Sequence, residues 1–343
     1  MTRPFFAAWL LSGMAALAGH AHAAAPAAGP EPVYGAELEG FDYPAPVERF
    51  RFESQRQPLQ MAYLDLQPTP SEANGRVVVL LHGKNFCAAT WEGTMRFLQS
   101  QGYRVIVPDQ IGFCKSSKPA AYQYSFQQLA HNTRALLESL GITRYIVIGH
   151  STGGMLAARM ALMFPAQLEQ LVMVNPIGLE DWKAEGVPSL TVDQWHAREQ
   201  QVTAERIRNY QRSTYYVGEW RPEYEQWVQM LAGMYRGPGR DIITWQSALL
   251  YDMIFTQPVV YEFGRLAVST LLLIGEKDST AIGREFSPPD VKARLGNYPV
   301  LARRAAAAIP DARLRLFPQL GHAPQMQDPQ GFHRALLEGL VKK

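Results

Sequence analysis

The stretch VIGHSTGGMLAA, residues 147–158, runs from apolar residues through Gly-His-Ser-Thr-Gly into small residues repeated at helical spacing. This order predicts a strand, a sharp turn and a helix. Gly149 and Gly153 indicate that the backbone around Ser151 turns too tightly for a side chain on either side. A serine in this strand–turn–helix context is typical of a nucleophile, whereas a serine that only caps the helix would not need both glycines.

The segments around this stretch alternate between strand-like and helical patterns. A strand pair is expected over 47–66, and continuous apolar strands alternate with helices from 76 to 175. The alternation stops over 179–262, where aromatic-rich helical stretches contain no strand run, and then resumes. The pattern predicts an α/β fold with a mostly parallel sheet and helices on both faces. The core domain should comprise residues 47–178 and 263–343, with 179–262 as a helical insertion.

The N-terminal residues have the order of a secretory signal. Arg3 precedes an apolar stretch of about fifteen residues, and small residues lead up to Ala23. A membrane anchor is the alternative, but the stretch is shorter than the roughly 20 residues that a spanning helix needs. We expect residues 1–23 to be a signal peptide cleaved after Ala23 and residues 24–46 to be a flexible lead-in. The mature protein should be periplasmic or secreted, without a membrane span.

The composition argues against several classes of function. The 343 residues include 33 lysines and arginines against 31 acidic residues, and no basic run is interleaved with aromatics, so no nucleic-acid partner is indicated. No cysteine–histidine spacing of the zinc type occurs, and we expect no metal and no cofactor. Cys87 and Cys114 either form a disulfide or remain two buried thiols. The sequence leaves the oligomeric state open.

Two downstream strand ends supply the groups that a nucleophilic serine needs. Asp278 follows LLLIGEK and His322 follows LRLFPQLG, and the carboxyl ends of parallel strands meet at one edge of a sheet. His322 is expected to accept the hydroxyl proton of Ser151, and Asp278 is expected to orient the imidazole. The alternative acids are Asp109, Asp181 and Glu276.

Such a reaction also needs N–H donors for an oxyanion. Thr152 follows the serine at the start of a helix, and a second donor is expected in the loop after VVVLLHG, at Lys84 with Asn85 as the near alternative. The Lys84 side chain either biases the site towards anionic substrates or points to solvent. His82 and His150 are expected to be structural.

Together these motifs resemble the α/β-hydrolase superfamily. LLHGKNF is similar to its oxyanion loop, GHSTGG to its nucleophile elbow, GEKD to its acid loop and LGHAPQ to its histidine loop. The resemblance spans the expected mature domain and implies eight strands, a Ser151–Asp278–His322 triad and a cap formed by the helical insertion. It also implies that the loops of Cys87 and Cys114 flank one another, which favours the disulfide.

The resemblance implies an exported serine hydrolase that cleaves a small-molecule carboxylic ester through an acyl-enzyme. The loops are similar to those of haloalkane dehalogenases and epoxide hydrolases, but those enzymes have an aspartate nucleophile and this chain has Ser151. Two alternatives use the same triad: lactonases, and hydrolases that cleave a C–C bond in ring-cleavage products. A non-catalytic ligand-binding protein of this fold is the alternative of another class, and the complete triad argues against it.

Overall fold

The computed structural model of the protein describes residues 1–2 and 31–341. The expected signal peptide, residues 1–23, therefore lies outside the described residues apart from its first two. The described residues from Pro32 onwards form one compact unit. Within the described ranges, no helix has the length and apolar composition that crossing a membrane requires.

A sheet of eight strands forms the centre of this unit. The strands are β1 (Glu48–Ser54), β2 (Gln57–Leu66), β3 (Val77–Leu81), β4 (Arg104–Pro108), β5 (Tyr145–His150), β6 (Leu168–Val174), β7 (Thr270–Gly275) and β8 (Ala312–Phe317). Their order is β1-β2-β4-β3-β5-β6-β7-β8. β2 pairs antiparallel with β1 and with β4, and the other neighbours are parallel. This arrangement confirms the predicted α/β fold.

Helices pack against both faces of the sheet. The α-helices of the described residues are α1 (Glu92–Ser100), α2 (Phe126–Ser139), α3 (Thr152–Met163), α4 (Val192–Glu199), α5 (Ala204–Tyr210), α6 (Glu225–Arg236), α7 (Arg240–Thr256), α8 (Pro289–Arg294), α9 (Tyr298–Ala308), α10 (Pro324–Gln327) and α11 (Pro329–Gly339). Alternate residues of β3 belong to different cores, Val79 and Leu81 to one, Val78 and Leu80 to the other. Since successive side chains of a strand point to opposite faces, both faces are buried. This explains why the central strands read as continuous apolar runs.

The segment expected as a helical insertion, residues 179–262, contains α4 to α7 and leads from β6 to β7. Between α5 and α6 lies a short π-helical turn, Gln211–Tyr215. Many of the aromatic side chains hold these helices together: the Trp195 ring is stacked on that of Tyr251, with centroids 4.9 Å apart. We call residues 179–262 the cap.

The lead-in was expected to be flexible over residues 24–46, and from residue 31 onwards that expectation is wrong. The Tyr34 N–H donates to the Gly233 carbonyl of α6 at 3.0 Å. Leu38 is fully buried, and the Tyr43 hydroxyl donates to the Asp109 carboxylate at 2.6 Å. The segment is ordered because Leu38 is buried and Tyr34, Phe41 and Tyr43 pack partly buried against the core. This burial offsets the entropy of fixing the backbone.

Candidate active site

Ser151 lies on a strained turn between β5 and α3. Its backbone has φ 57° and ψ −121°, a conformation that residues with a side chain rarely adopt and that is concentrated at functional sites. A Cβ on Gly149 would overlap the Gly153 carbonyl, and a Cβ on Gly153 would overlap the carbonyl of Leu81 at the end of β3. The two glycines therefore allow the turn to pack directly against the sheet.

His322 and Asp278 meet at the same edge of the sheet as Ser151. Asp278 follows β7 and His322 follows β8, and the imidazole Nδ1 lies 2.7 Å from Oδ2 of Asp278. Both side chains are buried, with exposed fractions of 1% and 0%. Because a carboxylate can only accept, Nδ1 carries the hydrogen of this bond and Nε2 is left as an acceptor.

The imidazole Nε2 of His322 is buried and has no hydrogen-bond partner among residues 31–341. His150, directly before Ser151, holds the histidine loop in place. Its Nε2 donates to the His322 carbonyl at 2.7 Å, and the two rings are 4.8 Å apart. Asp278 and His322, far apart in the sequence, are thus brought into contact, and His150 links the His322 loop to the turn that bears Ser151.

The Asp278 carboxylate accepts further hydrogen bonds from two residues that the sequence analysis missed. The Asn175 side-chain amide donates to Oδ2 at 2.9 Å. The backbone N–H and the hydroxyl of Thr280 donate to Oδ1 at 2.8 and 2.7 Å. Asn175 directly follows β6. Its positive φ of 37°, common for asparagine and rare for most residues, is the structural signal of its role.

The alternative acids Asp109, Asp181 and Glu276 form no bond to His322. Asp109 accepts from the Tyr43 hydroxyl and from the Ala88 N–H, at 2.6 and 2.7 Å. Asp181 accepts from the Tyr261 hydroxyl at 3.0 Å. Glu276 pairs with Arg303 at 3.4 Å. Geometry therefore selects Asp278 as the partner of the imidazole.

The loop of Lys84 and the start of α3 at Thr152, which carry the two expected oxyanion donors, both lie beside Ser151. A Cβ on Gly83, directly before Lys84, would lie 2.9 Å from the Cβ of Ser151, so the backbone of this loop passes very close to the serine. Thr152 is the first residue of α3. Its N–H belongs to the first turn, where helix N–H groups lack an intrahelical acceptor and the helix dipole favours negative charge.

The comparisons with known proteins agree with this fold. The family described as alpha/beta hydrolase fold matches residues 76–329. The chain belongs to the α/β-hydrolase family. A crystal structure of a probable hydrolytic enzyme from Pseudomonas aeruginosa PAO1 is 65% identical, with a TM-score of 0.90, and the match covers 91% of this chain and 99% of that one.

More distant relatives of this α/β hydrolase have varied activities. An esterase from Exiguobacterium antarcticum shares the fold at 21% identity and a TM-score of 0.63, over 82% of this chain and 95% of its own. The Cis-3-alkyl-4-alkyloxetan-2-one decarboxylase of Xanthomonas campestris is 38% identical over 125 residues, 34% of this chain and 40% of that protein. The chain thus spans less than half the length of the curated relatives it matches, such as an uncharacterised Mycobacterium tuberculosis protein of which it covers 30%.

The Lys84 side chain of this α/β hydrolase does not point to solvent, contrary to one of the two expectations. Its Nζ donates to the Ser247 hydroxyl of α7 at 2.6 Å and lies 3.6 Å from the centre of the Tyr251 ring. Burial lowers the pKa of Lys84, and the nearby Glu199 carboxylate acts in the opposite direction. The cation is therefore bound by the cap.

Two further histidines near the site have structural contacts. His82 accepts the Gln110 N–H at its Nε2, 3.2 Å away, and its Nδ1 donates to the Gly83 carbonyl at 2.9 Å. Burial lowers the pKa of His82 and, more strongly, that of His150, where the neighbouring His322 contributes in the same direction. Both rings are therefore neutral donors and acceptors that shape loops, as expected from the sequence.

A disulfide joins the loop after β3 to the loop after β4. Cys87 and Cys114 are bonded, with Cα atoms 5.9 Å apart and a sequence separation of 27. A carboxylate oxygen of Asp109 lies within 4.8 Å of both sulfurs, but its carboxylate oxygens already accept from Tyr43, Ala88 and Lys115. The disulfide therefore holds the oxyanion loop against the loop after β4.

We expect removal of this disulfide to lower the free energy of unfolding by about 3–4 kcal/mol, because closing a loop of this length restricts the unfolded chain. The measurement is urea unfolding of the oxidised protein, the reduced protein and the Cys87→Ser, Cys114→Ser double variant. The double variant should match the reduced protein and be insensitive to reductant. Equal urea midpoints for all three would contradict the expectation.

A cavity of about 40 Å³ separates the oxyanion loop from the cap. Its wall is mainly apolar and includes Phe86, Phe113, Met230, Ile243 and Leu250. Beside it the cap contacts the loop directly, since Lys84 bonds Ser247 and Asn85 bonds Tyr215.

Proposed function

We propose that this α/β hydrolase is a serine hydrolase that cleaves carboxylic esters through an acyl-enzyme. The observation that carries the proposal is the buried imidazole of His322, which is bound to the Asp278 carboxylate. Its Nε2 has no partner among the described residues. His150 links the backbone of His322 to the turn that bears Ser151. A serine hydroxyl becomes a useful nucleophile only beside such a base.

The mechanism follows from these positions. Ser151 Oγ forms a bond to the acyl carbon while its proton passes to Nε2 of His322, and Asp278 stabilises the imidazolium that results. The Lys84 and Thr152 N–H groups donate to the oxyanion of the tetrahedral intermediate. Collapse of this intermediate breaks the C–O bond, and His322 returns the proton to the departing alcohol. Water then attacks the acyl-enzyme by the same route and releases the acid and Ser151.

An ester is the substrate that this set of groups supports best. An alkoxide leaving group needs only one proton from the histidine, and no further acid, metal or cofactor has to act on it. Names among the structural neighbours point the same way, since they include esterases and an N-acyl homoserine lactone degrading enzyme. These neighbours are only 21% and 22% identical, so they share the fold and suggest, without specifying, the substrate.

We also propose that the protein acts outside the cytoplasm. The order of charged, apolar and small residues at the N-terminus supports cleavage after Ala23. The Cys87–Cys114 bond supports an oxidising compartment, because disulfides persist in the periplasm and in secreted proteins and are rare in a reducing cytosol.

The test expresses the full chain in a Gram-negative host, purifies the protein from the periplasm and determines its N-terminus, which should be Ala24. The purified protein is then assayed on p-nitrophenyl esters of increasing acyl length and labelled with a fluorophosphonate probe. We expect turnover of at least the shorter esters and probe attached to Ser151. A folded protein with neither turnover nor labelling would overturn the proposal. Labelling without ester turnover would overturn the ester assignment and favour lactone or C–C substrates.

A further inference from the structure

Tyr215 of the cap contacts the His322 ring. It ends the π-helical turn between α5 and α6, and its ring lies 4.9 Å from that of His322 at an angle of 31°. The ring is 4% exposed. Short π-helical segments cost hydrogen-bond geometry and occur frequently at functional sites. Here the π-helical turn places the Tyr215 ring against the imidazole, which explains why its poorer hydrogen-bond geometry is tolerated.

The backbone of the same turn packs on the histidine loop. The His322 N–H donates to the Thr214 carbonyl at 3.3 Å. A Cβ on Gly321 would lie 2.7 Å from the Tyr215 carbonyl oxygen, so this glycine allows the cap to approach. The contact is too close for the turn and the histidine loop to shift independently.

The Tyr215 hydroxyl reaches the oxyanion loop. It accepts a hydrogen bond from the Asn85 side chain at 3.0 Å, and the Tyr215 ring lies 5.3 Å from that of Phe86. Tyr215 thus contacts the histidine loop with its ring and backbone and the oxyanion loop with its hydroxyl.

Lys84 provides a second contact between the oxyanion loop and the cap. Its Nζ is bound by Ser247 and Tyr251 of α7. Ser247 and Tyr235 in turn donate to the Glu199 carboxylate of α4, so an ammonium and a carboxylate share one enclosed polar cluster. Two consecutive side chains of the oxyanion loop are therefore held by the cap.

We propose that Tyr215 is a positioning residue that sets the oxyanion loop relative to His322, so that the active site is complete only when the cap is closed. The inference rests on the proposed serine-hydrolase function and assigns part of its geometry to the cap. Since an error of about 1 Å in the position of a reacting group can cost 10²-fold in rate, loss of the bond between Tyr215 and Asn85 should be visible in kcat.

The test is a double-mutant cycle on ester hydrolysis with Tyr215→Phe, Asn85→Ala and both together. Tyr215→Phe keeps the ring over His322 and removes only the hydroxyl. We expect each single variant to lower kcat by about tenfold, with KM changed less than about twofold. The double variant should be no slower than the slower single variant, because both changes remove the same bond.

Tyr224→Phe is the matched control. Tyr224 is also a buried cap tyrosine, but its hydroxyl has no partner within the described part of the chain, so kcat should be unchanged. Three results would overturn the inference while wild-type turnover stands: unchanged kcat in Tyr215→Phe, effects of the two variants that multiply, or a rise in KM alone. Inactive and unlabelled wild-type protein would instead overturn the proposed function.

Discussion

Replacement of Ser151 by alanine is expected to lower kcat for ester hydrolysis by roughly 10⁶-fold, the scale at which loss of a triad nucleophile acts. Without Oγ no acyl-enzyme forms, and the buried imidazole of His322 has no hydroxyl to deprotonate. The remaining rate would come from binding and from the oxyanion donors acting on water. The measurement is turnover of the best ester in the panel, together with fluorophosphonate labelling, which should be lost.

The matched control for this variant is Ser54→Ala. Ser54 is buried to the same degree, 7% exposed against 6% for Ser151, and its hydroxyl bonds that of Tyr122 at 2.8 Å at the end of β1. Ser54→Ala should therefore keep full activity at a small cost in stability. Substantial ester turnover by a pure Ser151→Ala protein would mean that a different residue is the nucleophile.

Much of the fold could be predicted because its signals are local. The apolar runs of β3 and β5 to β7 are continuous since both faces of the sheet are covered. The glycines around Ser151 follow from contacts within one turn and one neighbouring strand. Asp278 and His322 could be placed because each directly follows a strand, and parallel strands bring such positions to a common edge.

The contacts that complete the site could not be predicted because they join segments remote in sequence. Asn175 meets Asp278 across 103 positions, and Asn85 meets Tyr215 across 130. Nothing local distinguishes Tyr215 from the other aromatic residues of the cap, most of which only pack the helices together. Lys84 was assigned to substrate or solvent because the sequence does not show which helix of the cap covers it.

The lead-in illustrates a different failure. Its alanines, prolines and glycines were typical of a flexible linker, and this composition was extended over the more aromatic residues from Tyr34 to Tyr43. The pockets that bind these side chains lie on the cap and the core, for example at Gly233 of α6 and at Asp109. Composition describes the freedom of an isolated segment and contains no information about the surface that it meets.

Replacement of Asp278 by asparagine is expected to lower kcat by roughly 10⁴-fold, the loss known for an isosteric change of a triad acid. Four donors converge on this carboxylate: His322 and Asn175 on Oδ2, and the N–H and hydroxyl of Thr280 on Oδ1. An asparagine amide has one oxygen and one NH₂ group. With the oxygen towards Thr280, the NH₂ group faces Nδ1 of His322 and favours the tautomer with its proton on Nε2, which cannot accept from Ser151.

The opposite orientation of the amide keeps the histidine tautomer but places the NH₂ group against the N–H of Thr280, leaving buried donors unpaired. One orientation therefore removes the accepting Nε2 of His322, and the other disrupts the hydrogen bonds that order the acid loop. Asp181→Asn is the control: it removes the same charge from an alternative acid, one that accepts from the exposed Tyr261 hydroxyl and from the Lys183 N–H. It should change kcat less than about twofold. Should Asp181→Asn be the slow variant and Asp278→Asn remain active, the acid of the triad would have been wrongly assigned, whatever the distance between Asp278 and His322.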